Sequence, residues 1–281
     1  MLNVTDLASY LFCSRKLYLT KVLKLEEPVK EAMMLGTIRH AVYDALNKAE
    51  EQLVTSVAVP MELPELITHY TTTYSKLLRT AIMIHKHALK RLELDLQETF
   101  VQQWKYVQRE ATFRAAVLSS FIAEQKVYGQ ELWEQVTPKI QSEIRVLSEQ
   151  LQLKGIVDQI EVHQDHIVPI ELKTGSMAPL GIWPRHKIQL SAYMVLLAKQ
   201  WDKPVKEGKI RYLDHDKEKI LSFNSFYEQE IQDMVAAVTD VLSSKIPPGY
   251  IDNKNKCVNC SLKEKCYDPE LIAQKVKTLA S

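Results

Sequence analysis

No run in this 281-residue sequence approaches the ~18 consecutive apolar residues that a membrane span needs. The opening stretch, MLNVTDLASYLFCSRK, also lacks the apolar segment and small-residue cleavage site of a secretory leader. The expectation is a cytoplasmic protein with no membrane partner. Low-complexity tracts are absent too. Apolar residues at 46% and charged residues at 25% describe a chain that folds rather than one that stays disordered. Charge of one sign is not in excess: 36 Lys and Arg stand against 35 Asp and Glu, a formal net of +1. Such a chain has no global attraction for nucleic acid, so any surface that binds it must be a local basic patch. Cysteine is sparse, with four residues. In a reducing compartment such cysteines serve more often as ligands or nucleophiles than as disulfides, so their spacing carries information.

The length suits one elaborate domain or a domain with an insertion. A first helix is expected from about Thr5, an N-cap candidate, through Cys13 to Leu19. After Pro28, Met34, Ile38, Ala41, Val42, Ala45 and Leu46 trace the apolar stripe of an amphipathic helix from Glu31 to Leu53, with His40 midway. From Pro64 to Trp133 there is a single glycine and no internal proline, and Leu77, Leu78, Ile82, Leu89, Leu92 and Leu96 recur at helical spacing. That stretch reads as a helical subdomain. The pattern then shortens to strand-like runs at 142–147, 153–162 and 166–173, a sheet meander. A helix from Pro184 to Trp201, a hairpin over 210–223 and a helix from Phe226 to Leu242 follow, closed by Pro247-Pro248-Gly249. Residues 253–267 are polar and cysteine-rich and cannot pack a core alone, so something must tie them down.

Asp158 ends an apolar run, and Glu171 and Lys173 lie one residue apart on the next strand, where a period of two puts them on one face. Phosphodiester hydrolysis needs a hard divalent cation held by carboxylates and a positive group near the developing charge. These three side chains supply such groups. An isolated Glu-x-Lys is ordinarily a solvated strand edge. Here, however, Ile167-Val168-Pro169-Ile170 makes the strand look buried, and a buried acid requires a partner or a metal.

Taken in order, Gly155-Ile156-Val157-Asp158, Ile170-Glu171-Leu172-Lys173-Thr174-Gly175 and Gln189-Leu190-Ser191-Ala192-Tyr193 resemble the motifs of the RecB-like branch of the PD-(D/E)xK nucleases. His40, in Gly36-Thr37-Ile38-Arg39-His40, is similar to that branch's upstream histidine. The resemblance implies an α/β restriction-endonuclease-like core with a central mixed sheet flanked by helices. It implies that His40, Asp158, Glu171 and the backbone carbonyl of Leu172 bind Mn2+ or Mg2+, that Asp158, Glu171 and Lys173 are catalytic, and that Gln189 and Tyr193 help position DNA and the active site. His85 and His87 read as solvated, and His163 and His166 as turn-flanking residues without assigned chemistry.

Cys257, Cys260 and Cys266 crowd the polar tail, and Cys13 is the one cysteine elsewhere. Four thiolates suit tetrahedral zinc or an iron–sulfur cluster, and spacing alone does not choose between them. Iron–sulfur members of the RecB-like branch, among them the CRISPR-associated exonucleases of the fourth Cas family and the AddB nuclease domain, join one upstream cysteine to three near the C-terminus. The resemblance therefore implies a [4Fe–4S] cluster on Cys13, Cys257, Cys260 and Cys266, linking the N- and C-terminal segments. The organisation that follows is an N-terminal helical part (1–55) with the first cysteine and the histidine, a helical insertion (56–140), the nuclease core (141–245) and a cluster-binding tail (246–281). The implied activity is metal-dependent trimming of DNA ends in CRISPR adaptation, beside the CRISPR integrase complex. Two other readings share these residues: a stand-alone RecB-like repair or viral nuclease, and a non-catalytic DNA-end-binding subunit.

Overall fold

The structure is a computed structural model that describes residues 1–280. The chain opens with a two-residue strand β1 (Leu2–Asn3) and helices α1 (Val4–Phe12), α2 (Ser14–Lys21) and α3 (Glu31–Thr55). A helical stretch follows: α4 (Leu63–Ile84), α5 (Lys86–Arg91), α6 (Leu96–Gln125) and α7 (Gly129–Gln135). Strands β2 (Lys139–Ser148), β3 (Leu153–Val162) and β4 (Ile167–Lys173) come next, then α8 (Pro184–Gln200), β5 (Glu207–Tyr212), β6 (Lys217–Ser222) and α9 (Tyr227–Ser243). Short helices α10 (Asn255–Val258) and α11 (Lys263–Cys266) and a longer α12 (Pro269–Ala280) end it. No helix among the described residues is long and apolar enough to cross a membrane.

The first helix differs from its sequence reading. Asn3, not Thr5, is the N-cap, in a reciprocal capping box with Asp6. Helicity then breaks at Cys13, whose backbone is extended (φ −167°, ψ 110°). Cys13 thus lies between two helices, where its sulfur accepts the amide of Lys16 and caps α2. The break redirects the chain: α1 packs Val4 and Leu7 under the sheet, whereas α2 turns Tyr18 and Leu19 toward the C-terminal tail. The α9 helix, Tyr227–Ser243, matches its sequence reading, whereas α12 has no counterpart in that reading.

The sheet is mixed. β2, β3 and β4 form an antiparallel meander, β4 pairs β5 in parallel, and β5 and β6 make a hairpin. β3 shares one edge between two partners: Leu153 and Lys154 pair with β1, whereas Gln159 to Val162 pair with β4. Between these segments Gly155 to Asp158 run free of β4, and the strands part there. β4 is buried on both faces along most of its length, as expected of a strand covered on each side. One face packs α1, α8 and α9 through Val4, Leu7, Leu190, Met194, Ile231 and Val238. On the other, Tyr43 of α3 meets Ile170 and Leu172.

The helical stretch has its own apolar core, which takes Ile38, Val42, Leu46, Leu53 and Val54 from α3. Its tie to the sheet is ionic. Glu110 of α6 accepts from Arg114 (2.8 Å) and from Arg211 of β5 (2.9 Å), and Arg114 also reaches Glu50 of α3 (2.8 Å) and Asn47 (2.7 Å). Burial works against charge on Glu110, but the two guanidinium groups outweigh it and lower its pKa to about 2. The stability this contributes is fully present above the ordinary glutamate range and is lost as pH falls toward 2. Arg114→Ala, which takes a guanidinium from the buried Glu110 and the half-buried Glu50, is expected to cost about 3 kcal/mol in urea denaturation at pH 7; an unchanged midpoint would contradict the network.

Candidate functional site

The site forms where β3 and β4 part. Because Asp158 stands past the last β3–β4 pair, its Oδ2 can accept the amide of Leu172 (2.7 Å) in place of a strand partner. A strand residue's N–H and C=O share an edge, so the Leu172 carbonyl faces the same gap. The other Asp158 oxygen lies 3.3 Å from Nδ1 of His40. The α3 helix comes this close because Gly36 has no side chain: a Cβ there would meet Thr174 Oγ1 at 3.0 Å. Burial disfavours charge on His40, yet the hydrogen bond and charge of Asp158 raise its pKa above the ordinary value.

Glu171 is buried. Its Oε1 accepts from Lys173 Nζ (2.6 Å) and from Gln189 Nε2 (2.7 Å). Gln189 Oε1 in turn accepts from Lys173 (2.9 Å), and its amide lies 3.4 Å from the Tyr193 hydroxyl. The turn-and-a-bit spacing of Gln189 and Tyr193 on α8 explains why both reach the site. Glu171 Oε2 is buried without any hydrogen-bond partner. Burial first, and then the charge of Asp158, raise the Glu171 pKa to about 7 in spite of Lys173 and His40. An unpartnered, desolvated carboxylate oxygen facing a second carboxylate suits a cation chemically. The groups are not closed into a ligand set, however: among the described residues no group of three or more His, Cys, Asp or Glu side chains is already disposed to hold a metal ion. The structure therefore brings His40, Asp158, Glu171, Lys173, Gln189 and Tyr193 together as two adjoining hydrogen-bonded sets, His40 with Asp158 and Glu171 with Lys173, Gln189 and Tyr193, coupled through the charges of the two acids.

Two residues absent from the sequence reading border this cluster. Glu143 occupies an irregular position of β2, with φ +54°, between the pairs Ser142–Gln159 and Ile144–Val157. Burial and then the charge of Asp158 raise its pKa, so it adds a third carboxylate to the neighbourhood. The ladder keeps one register on either side of it, which sets Glu143 opposite Asp158, a pairing that the sequence alone does not show. His186, three residues before Gln189, is buried between Tyr212 (3.0 Å to the hydroxyl) and Arg185 (3.2 Å). Burial, with Lys173 and Arg185 nearby, lowers its pKa to about 3, so it is neutral.

All four cysteines are free of disulfides and border one pocket with Arg15 and Tyr250. Leu262 and Ile272 pack the tail against Tyr18, Leu19 and Leu23. Arg15 donates to Cys266 Sγ (3.3 Å) and to the Pro248 carbonyl (2.7 Å). Burial raises the Cys266 pKa against the pull of Arg15, and Cys13 and Cys260 add to the rise. The Lys16 amide also reaches a sulfur, that of Cys13 (3.4 Å); four sulfurs on one pocket are the donor chemistry of a thiolate-ligated group, but among the described residues they too are not already disposed to hold a metal ion.

A family description, the PD-(D/E)XK nuclease superfamily, matches residues 1–267. A CRISPR-associated exonuclease Cas4/endonuclease Cas1 fusion of Leptospira interrogans is 29% identical over 53% of this chain and 29% of its own length. A fusion of the same description from Myxococcus xanthus is 27% identical over 46% of this chain and 23% of its own. The chain thus spans under a third of the curated relatives it matches. The crystal structure of SSO0001 aligns over 74% of this chain and 97% of its own at 16% identity, with a TM-score of 0.34.

Gly155 offers a direct check on the packing behind the site. A Cβ there would approach Tyr193 Cε1 to 2.7 Å and Val4 Cγ2 to 3.1 Å. Gly155→Ala should displace the buried Tyr193 ring and cost about 1–3 kcal/mol; a melting temperature equal to that of the unsubstituted protein would contradict the contact.

Proposed function

Because the chain belongs to the PD-(D/E)XK nuclease superfamily, we propose that it is a metal-dependent deoxyribonuclease that hydrolyses phosphodiester bonds at DNA ends. The observation that carries this reading is the buried Glu171, with one oxygen unpartnered, set against Asp158 and bonded to Lys173. Asp158, Glu171, the Leu172 carbonyl and His40 are the groups that would hold Mn2+ or Mg2+. When bound, such a cation would polarise the phosphate and lower the pKa of the attacking water.

The remaining work falls to the chain's own side chains. Lys173, a donor without acceptor capacity, neutralises charge that builds on the phosphate oxygens. Gln189 bonds both Lys173 and Glu171, so it keeps the ammonium and the carboxylate in register. His40 steers one oxygen of Asp158, while the Leu172 amide fixes the other.

The likeness to the two Cas4/Cas1 fusions supports a finer reading: the enzyme is an exonuclease that trims prespacers in CRISPR adaptation and works beside the integrase. The shared pocket of Cys13, Cys257, Cys260 and Cys266 supports a [4Fe–4S] cluster there. Such a cluster would cross-link the start and end of the chain and take no part in hydrolysis.

End-labelled DNA with Mn2+ or Mg2+ tests the activity. The wild-type protein should shorten it, Glu171→Gln and Asp158→Asn should lose at least 100-fold in rate, and Lys173→Met should lose turnover while still binding the cation. Undiminished cleavage by Glu171→Gln would remove the site. Colour tests the cysteine reading: the purified protein should be brown, with broad absorbance near ~400 nm, and Cys13→Ser should lose both iron and several degrees of melting temperature. Elemental analysis showing zinc and no iron would overturn the cluster and leave the nuclease reading standing.

A further inference from the structure

A second cleft adjoins the cluster. It encloses about 360 Å3, within the range of small-ligand sites. Lys173 and Gln189 lie on its wall with Phe12, Lys16, Arg185 and His186, and Glu27 and small, apolar or hydroxyl residues of α1 and α2 complete the lining. Three cations from three separate elements converge on the Phe12 ring: Arg185 of α8 at 5.4 Å from its centroid, Lys256 of α10 at 5.7 Å and Lys16 of α2 at 5.8 Å. Like charges gathered around one half-buried ring repel, and two of them are accounted for locally. Lys16 pairs with Glu27 (2.7 Å), and Lys256 donates to the carbonyls of Leu11 (3.2 Å) and Phe12 (3.0 Å).

Arg185 is different. Its Nε donates to Nε2 of the neutral His186 (3.2 Å), which is held from its other side by the Tyr212 hydroxyl. Among the described residues Arg185 has no ion pair, and its two terminal amino groups have no hydrogen-bond partner. Burial presses its pKa below the ordinary arginine value, but a guanidinium stays charged at any working pH. A fixed cationic fork without a counter-charge, beside an aromatic face and next to Lys173, matches a phosphate and a base in the same molecule.

We propose that this cleft seats one unpaired nucleotide of the DNA substrate next to the scissile phosphate, with its base on the Phe12 ring and its phosphate on Arg185. The assignment rests on the nuclease reading above and deepens it, since it names the residues that position the strand. It also sets the cleft beside the cysteine-bearing tail, because Lys256, which precedes Cys257, reaches the Phe12 ring. Phe12 and Arg185 are positioning residues. They hold the strand and do not enter the bond-breaking step.

The test is binding of a labelled single-stranded oligonucleotide in EDTA, which separates affinity from cleavage. One nucleotide at a time near the end is made abasic. The wild-type protein should lose about tenfold in affinity at a single position, as stacking on one aromatic ring implies. Phe12→Leu should bind the intact strand about tenfold more weakly and be indifferent to that abasic position, while Phe12→Trp retains the wild-type pattern. Arg185→Gln should likewise become insensitive to one neutral methylphosphonate linkage to which the wild type responds. Equal tolerance of every abasic position by the wild-type protein overturns the cleft assignment even if Phe12→Leu fails to fold, and so does a Phe12→Leu variant that keeps the positional loss. If the wild-type protein cleaves DNA but shows no positional effect, the cleft assignment alone falls. If it neither binds nor cleaves DNA, both readings fall.

Discussion

A buried carboxylate, Glu171, set beside the half-buried carboxylate of Asp158 is the constraint from which this architecture follows. Asp158 and Glu171 stand where β3 leaves β4, and burial raises Glu171 far enough that it is about half protonated near neutral pH. Desolvation of an acid costs several kcal/mol unless a partner offsets it. Each surrounding element contributes such a partner: His40 from α3, the Leu172 amide from β4 itself, Lys173 two residues on, and Gln189 from α8. What the protein donors leave uncovered is the second oxygen of Glu171.

The rest of the fold holds these donors in place. β4 lies between two helical layers, so Glu171 cannot turn to solvent without unpacking its neighbours. The α3 helix must pass within a glycine's reach of Thr174 to deliver His40, and the buried Glu110–Arg114–Arg211 network fastens the helical stretch over the far side of the sheet. At the other end, the break at Cys13 turns the chain so that Phe12 faces the cleft and Cys13 faces the tail. One irregular residue therefore serves two sites.

Much of this was legible in the sequence, for a physical reason. Strands with period two and helices with period near 3.6 place Glu171 with Lys173, and Gln189 with Tyr193, on common faces before any tertiary structure is known. The strands from Ser142 to Lys173 and helix α8 lie where alternation puts them. What stayed hidden depended on departures from regularity. The interruption at Cys13, the left-handed backbone of Glu143 opposite Asp158, and the two-residue β1 that completes the edge of β3 leave no periodic trace. Nor could local pattern reveal Arg185 and His186, because their meaning comes from Tyr212 and Phe12, distant in sequence.

The central claim is that a cation belongs beside Glu171 and competes there with a proton. Calorimetric titration of Mn2+ at pH 6, repeated in buffers of different ionisation enthalpy, measures that competition directly, since a ligand must lose its proton to bind metal. With Glu171 raised to about 7 and His40 raised above its ordinary value, binding should release protons from both at pH 6 and far fewer at pH 8.5, and Glu171→Gln should remove the Glu171 share, close to one proton. Tight Mn2+ binding at pH 6 without proton release, or a release undiminished in Glu171→Gln, would contradict the account.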